Sequence, residues 1–178
     1  MSLLRNSYGR IADSGRVVIR AGTDDGLSGG EQNANVNGSI TPVDFYVQPA
    51  PGETFAIKHI SIEVSDSGNP GIDDYGNIVG PLANGIGFFV ELDGVKFQQG
   101  INYHSNRELM NLGPVTQQIG FSGSTTVTIF NFDLASYDER GVMIQGKKNE
   151  KFGITINDNL TTLIHHGFNV KGMAFTEA

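Results

Sequence analysis

Two stretches constrain the fold more than anything else in the chain: Glu53 to Val64, ETFAIKHISIEV, and Gly85 to Gln98, GIGFFVELDGVKFQ. Both alternate apolar and polar residues with period two, as a strand does when one face meets a core and the other meets water. The second doubles back through Asp93-Gly94, a pair that tolerates positive φ at both central positions of a tight hairpin turn. Short strand-like runs separated by turn residues recur along the sequence, and no sustained helical period appears. The expected fold is all-β: an antiparallel β-sandwich of about eight strands, jelly-roll-like, with one or two short helical turns and a flexible N-terminal arm. At 178 residues the chain fits one domain with a sizeable core. The expected organisation is an arm over 1–40, holding a short strand and a polar Gly/Asn-rich loop, followed by the sandwich over 41–178.

Arg16 to Arg20 reads as the first strand, and Ala21 to Ser39, AGTDDGLSGGEQNANVNGS, as a long polar loop with little to bury. Val43, Phe45 and Val47 share one face of the next strand, ended by Pro49-Ala50-Pro51-Gly52. In the strand that follows, Phe55 and Ile57 hold one parity and Ile60, Ile62 and Val64 the other. The switch at Lys58-His59 predicts a β-bulge or a bend between sheets, with His59 an exposed bulge residue. Asp66 to Asn84 reads as a second long loop, pinned to the body by Ile72 and Tyr75. Ile86, Phe88, Val90 and Leu92 are expected to face inward, with Val95 and Phe97 pairing back; Phe89 points the other way and suggests a covering layer or a subunit contact. Ser105 and Glu108 form a capping-box pattern ahead of Gly113-Pro114, predicting a short helix. Thr128, Phe130, Phe132 and Leu134 share a strand face. Lys147 to Lys151 reads as a charged hairpin tip between Val142–Ile144 and Phe152–Ile156. Asp158 to Leu163 reads as a capped turn that tucks its leucines under the sandwich. Phe168, Val170, Met173 and Phe175 form the last strand, with a phase break at Lys171-Gly172.

The chain has no cysteine, which excludes disulfides and thiolate metal sites. No run approaches the ~20 apolar residues of a spanning helix, and the start shows no secretory apolar region. Net charge is −7 but unevenly placed: residues 1–20 carry four arginines against Asp13 alone, +3 net, leaving eight basic and eighteen acidic residues beyond. An acidic body argues against nucleic-acid binding. Arg5, Arg10, Arg16 and Arg20 are candidates for docking on an acidic partner or sister subunit, with Phe89 as an apolar companion. Asp24, Asp25, Glu31 and the pair Asp73-Asp74 read as solvated turns rather than calcium ligands. Of the four histidines only His165 and His166 are neighbours, and adjacent strand residues face opposite ways, so no metal site is expected. Ser122 misses the Gly-x-Ser-x-Gly spacing, and no phosphate-binding glycine loop appears. The expectation is a protein that is not an enzyme and needs no cofactor. A sugar-binding reading would use Tyr75 and Tyr103, since tryptophan is absent.

The segments DFYVQPAPGETFAIKHISIEVSD and YGNIVGPLANGIGFFVELDG, with Pro49 to Glu53, Ile57 to Ile62, Tyr75-Gly76 and Leu82 to Ile86 as matching positions, resemble virion structural proteins of tailed bacteriophages. The ending Leu160 to Gly172 is similar to that group too, so the resemblance covers about two-thirds of the chain. It implies a β-sandwich on the phage particle, of the head decoration or auxiliary capsid type. Such a protein is expected in the virion, as a homotrimer bound to the major capsid protein. A tail, collar or fibre module that binds a host glycan through the Asp66–Asn84 loop is the alternative. The resemblance supplies no site residues.

Overall fold

The structure, a computed structural model, describes residues 15–23, 26, 36–67, 71–111, 115–122, 125–136 and 138–176. Arg5, Arg10, Asp24, Asp25 and Glu31 lie outside these residues. Among the described residues ten strands form two antiparallel sheets. The larger sheet runs in the order β1 (Arg16–Ala21), β10 (His165–Thr176), β3 (Glu53–Asp66), β7 (Thr125–Asp133) and β6 (Val115–Ser122), with β8 (Val142–Gln145) also paired to β3. The smaller sheet runs β2 (Val43–Val47), β9 (Lys151–Ile156), β4 (Ile86–Leu92) and β5 (Val95–Tyr103). With β6 and β8 set aside, successive strands fall in the two sheets in the interleaved order of an eight-stranded jelly roll. The sandwich is therefore a jelly roll with two added strands.

The path between the sheets begins just after β1. Thr23 and Tyr46 exchange backbone hydrogen bonds of 3.0 and 2.9 Å, so the chain leaves the edge of the larger sheet and seats itself on the edge of the smaller one. β1 belongs to the larger sheet through six residues of register with β10. At the far edge, the β4–β5 hairpin turns through Asp93 at φ 50° and Gly94 at φ 78°, the conformation that the Asp-Gly pair predicts.

The parity switch in β3 is a bulge. Ile57 pairs with Gly172 and His59 with Lys171, leaving Lys58 as the extra residue. On one flank β8 pairs with residues 54–57 and β7 with residues 59–66, so the bulge also marks where one neighbour gives way to the next. Phe55 and Ile57 before it, and Ile60, Ile62 and Val64 after it, all enter one core. The expected phase break in β10 is absent: His166, Phe168, Val170, Gly172 and Ala174 are all buried. Met173 and Phe175 lie on the opposite face, packed against Ala56 and Met143 in a small second cluster. An extra residue on one strand corrects the parity of that strand alone. A side chain at Gly172 would press on the carbonyl of Ala56, so the bulge is also a place of close backbone approach.

Between the sheets the core is aromatic at its centre. Phe88 stacks on Phe152 at 6.5 Å and 8°, meets Phe132 edge-on at 6.1 Å, and contacts Tyr103 at 5.6 Å. In β7, residues 126, 128, 130 and 132 are buried and their neighbours half-buried, as the alternation predicts. Val95 and Phe97 stay half exposed because they open the edge strand β5.

Two local expectations are corrected. Lys147 to Lys151 is not a hairpin tip, because β8 and β9 belong to different sheets. A 3-10 turn at Gly146–Lys148 and Asn149 at φ 54° carry the chain across, and the buried Glu150 carboxylate accepts the Gln145 amide at 2.8 Å. Phe89 has no exposed surface. It pairs with Gly153 of β9, and the Lys96 ammonium caps its ring at 4.2 Å. Lys96 is held there by Asp44 at 2.6 Å and by Thr155 at 2.8 Å.

Candidate functional site

Glycine, proline and asparagine interrupt the strand pattern most heavily at one end of the sandwich, where 36–42, 71–85, 104–111 and 157–164 meet. These segments have little regular structure, so their polar backbone groups need other partners. Buried side chains supply many of them. The Asp158 carboxylate, 7% exposed, accepts the backbone amides of Ala83 at 3.1 Å, Asn84 at 3.0 Å and Gly85 at 2.7 Å. Asp74 accepts the Gly80 amide at 2.8 Å, and the buried Asn106 side chain donates to the Gly71 carbonyl at 2.8 Å. Arg107 forms a two-pronged ion pair with Asp73, at 2.7 and 3.2 Å, which holds the Asp73 carboxyl below its usual pKa. Asn37 bridges Asn159, so 36–42 joins the same end.

The helix that buttresses this loop, α1 (Asn106–Asn111), begins as the capping pattern predicts. The Ser105 hydroxyl accepts the Glu108 amide at 3.4 Å, and Glu108 reaches back to the His104 amide at 2.7 Å. Leu109 is buried beneath it, as are Leu160 and Leu163 in the neighbouring turn.

Under the loop lies a fully buried polar cluster. The Tyr75 hydroxyl and His166 Nε2 are 2.6 Å apart, and Tyr103 packs against Tyr75 with ring centroids 5.9 Å apart. Burial lowers the His166 pKa to about 3, helped by the neighbouring His165. Burial, and then the nearby Tyr103, raises Tyr75 well above the ordinary tyrosine value; burial raises Tyr103 likewise. At neutral pH the cluster is therefore uncharged. A neutral, enclosed His–Tyr pair orders the loop above it and presents no nucleophile to solvent.

The residues expected from their sequence setting to dock a partner or contact a sugar fall apart in space. Arg16 is exposed at the larger sheet's edge and ion-paired with Glu53; Arg20 is placed by its backbone beside Val170. Phe89 is buried on the smaller sheet and offers no surface for docking. Tyr75 and Tyr103 are each 0% exposed, so neither ring can stack on a sugar. Ile72, expected as an anchor, is 47% exposed. Among the described residues no three His, Cys, Asp or Glu side chains gather as a metal site, and no helix is long and apolar enough to cross a membrane.

Beside exposed polar residues such as Asp73 and Arg107, this end offers apolar side chains to solvent. Ile40 is 87% exposed and Val79 92%, and Ile72 and Ile164 are about half exposed. No family model matches the chain, and no curated protein or solved structure matches it significantly. Sequence reasoning missed Asp158 as the organiser of this end. Its local setting suggests a cap for its own turn, whereas its partners lie more than seventy residues earlier.

Proposed function

We propose that this chain is a virion structural protein of a tailed bacteriophage, a head decoration protein that binds the major capsid protein as a homo-oligomer, most simply a trimer. The observation that carries the reading is the loop-bearing end of the jelly roll, stiffened by Asp158, Asp74 and Asn106 while Ile40 and Val79 stand out in water. Large apolar side chains on pre-ordered loops suit a protein partner, because little further ordering is needed on binding and apolar surface is removed from water. The resemblance of Val43–Asn84 to virion proteins supplies the partner class. Closed symmetric assembly repeats one modest contact many times, which suits a domain with no disulfide to stabilise it.

Sedimentation of the purified chain, together with imaging of intact particles, tests this. A species three times the mass of the 19.1 kDa chain, and density for it on the head at the copy number of a shell component, are the expected results. The double variant Ile40→Asp/Val79→Asp should remain folded yet fail to join the particle. A stable lone monomer, absent from particles, would overturn the proposal.

A further inference from the structure

The outer face of the larger sheet carries an arrangement that the docking function does not use. Register places Asn169, Ser61 and Asn131 side by side across β10, β3 and β7, with Lys171, His59 and Asp133 in the next row. The serine is the shortest member of its row, so the two flanking asparagines rise on either side of a dip. Ile19, paired with Lys171 on β1 and 65% exposed, walls it on one side. The result is a concavity of about 280 Å³ whose lining includes Ile19, His59, Ser61, Asn131, Asn169 and Lys171.

Polar residues on a sheet face ordinarily do nothing but meet water. Two features set this group apart: the surface is hollowed over the serine, and its polar groups are left unused. Among the described residues, the side chains of Ser61, Asn131, Asn169 and Lys171 have no hydrogen-bond or ion-pair partner. His59 faces Asp133 at 3.6 Å, and Lys171 is the one permanently charged side chain among the lining residues. All the polar groups sit on strands paired on both sides, which fixes the spacing of their backbone positions.

We infer that this concavity binds an acidic sugar. Each amide offers two donors and an acceptor oxygen, and the serine hydroxyl does both jobs, which matches ring hydroxyls that donate and accept. The exposed flank of Ile19 meets the apolar C–H face of a ring. Lys171, a compact point charge on a flexible stem, takes the carboxylate. The volume suits one sugar ring, so affinity for a single residue is weak, with a dissociation constant on the order of 1 mM.

Titration of the isotope-labelled full chain, followed by amide chemical shifts, tests the inference with glucuronic acid, glucose and inorganic phosphate as probes. Glucuronic acid should give saturable shifts at residues 61, 131, 169 and 171, and glucose the same shifts with affinity weaker by roughly fivefold, the worth of one exposed charge contact. Lys171→Met should bring glucuronic acid down to the level of glucose, and Asn131→Ala/Asn169→Ala should abolish both. These residues lack partners, so melting temperatures of the variants should match the parent. No saturable shift at these positions overturns the inference. So does an equal response to phosphate alone, which would mean a bare anion resting on Lys171.

Discussion

Replacing Asp158 by alanine isolates the device that holds the loop end together. The carboxylate accepts three consecutive backbone amides, the bond from Gly85 buried and those from Ala83 and Asn84 partly so. A hydrogen bond to a charged acceptor contributes ~1.5–3 kcal/mol when buried. The two partly buried amides regain water when the acceptor is lost, so each is worth nearer ~0.5–1 kcal/mol. Together these give a destabilisation of about 2.5–5 kcal/mol, or a fall in melting temperature of roughly 5–20 °C for a domain of this size. Urea denaturation of parent, Asp158→Ala and Asp158→Asn measures the loss, and the asparagine, which keeps one acceptor oxygen, should fall between the others. Hydrogen exchange adds a positional test: the amides of residues 83–85 should lose protection in Asp158→Ala, while those of β3 and β10 exchange no faster than the lowered global stability requires. A change below about 0.5 kcal/mol, with residues 83–85 still protected, would refute the account, because the loop would then be held by something other than this carboxylate.

His166 makes stability depend on acid. Its folded pKa of about 3 lies below the ordinary 6.5, so between those values the unfolded chain binds a proton that the fold refuses. Stability is full above pH 6.5 and falls with pH through that window, by about 2 kcal/mol at pH 5; His166→Gln should flatten this part of a urea-midpoint profile, and identical slopes in both proteins would refute it. Tyr75→Phe removes the only hydrogen-bond partner that His166 Nε2 has among the described residues. It should cost ~1–3 kcal/mol by the same denaturation assay, and a neutral effect would mean the bond contributes nothing. Gly153→Ala adds a methyl group that meets the Phe45 carbonyl and comes within 2.7 Å of Tyr46 Cβ, in a strand paired on both sides. A loss of about 3 kcal/mol of unfolding free energy is expected, and a melting curve unchanged from the parent would contradict it.

The layers of this fold were legible because period-two alternation is a local signal. Phe45 and Val47, Ile60 to Val64, and Phe130 with Phe132 each declare their inward face within a few residues. The bulge was visible in β3 for the same reason, since an extra residue reverses parity in the strand that contains it. In β10 a similar-looking reversal had another cause: Met173 and Phe175 face outward onto their own small cluster, and only the partner strand reveals which side is the core. Lys147 to Lys151 misled in a comparable way. A charged, turn-rich segment between two short strands looks the same whether those strands pair with each other or with different sheets.

Function depends on separations that alternation does not encode. Tyr75 and Tyr103 stand in or beside loops, where a tyrosine is commonly a solvent-facing ring. Here the loop folds back over them, and His166, ninety-one residues away from Tyr75, provides the hydroxyl's partner. Phe89 looks unprotected in sequence because the residue that caps it, Lys96, comes from another strand and is held by Asp44 and Thr155 of two more. Asn131, Ser61 and Asn169 are three ordinary outward positions until register sets them in one row. In each case burial or recruitment is decided by which strands become neighbours. A jelly roll, whose sheets interleave early and late strands, makes those neighbours distant in the chain. The residues most visible as site candidates were therefore the ones the topology was free to bury, while the Asn–Ser–Asn row is one it assembled from residues with no individual signature.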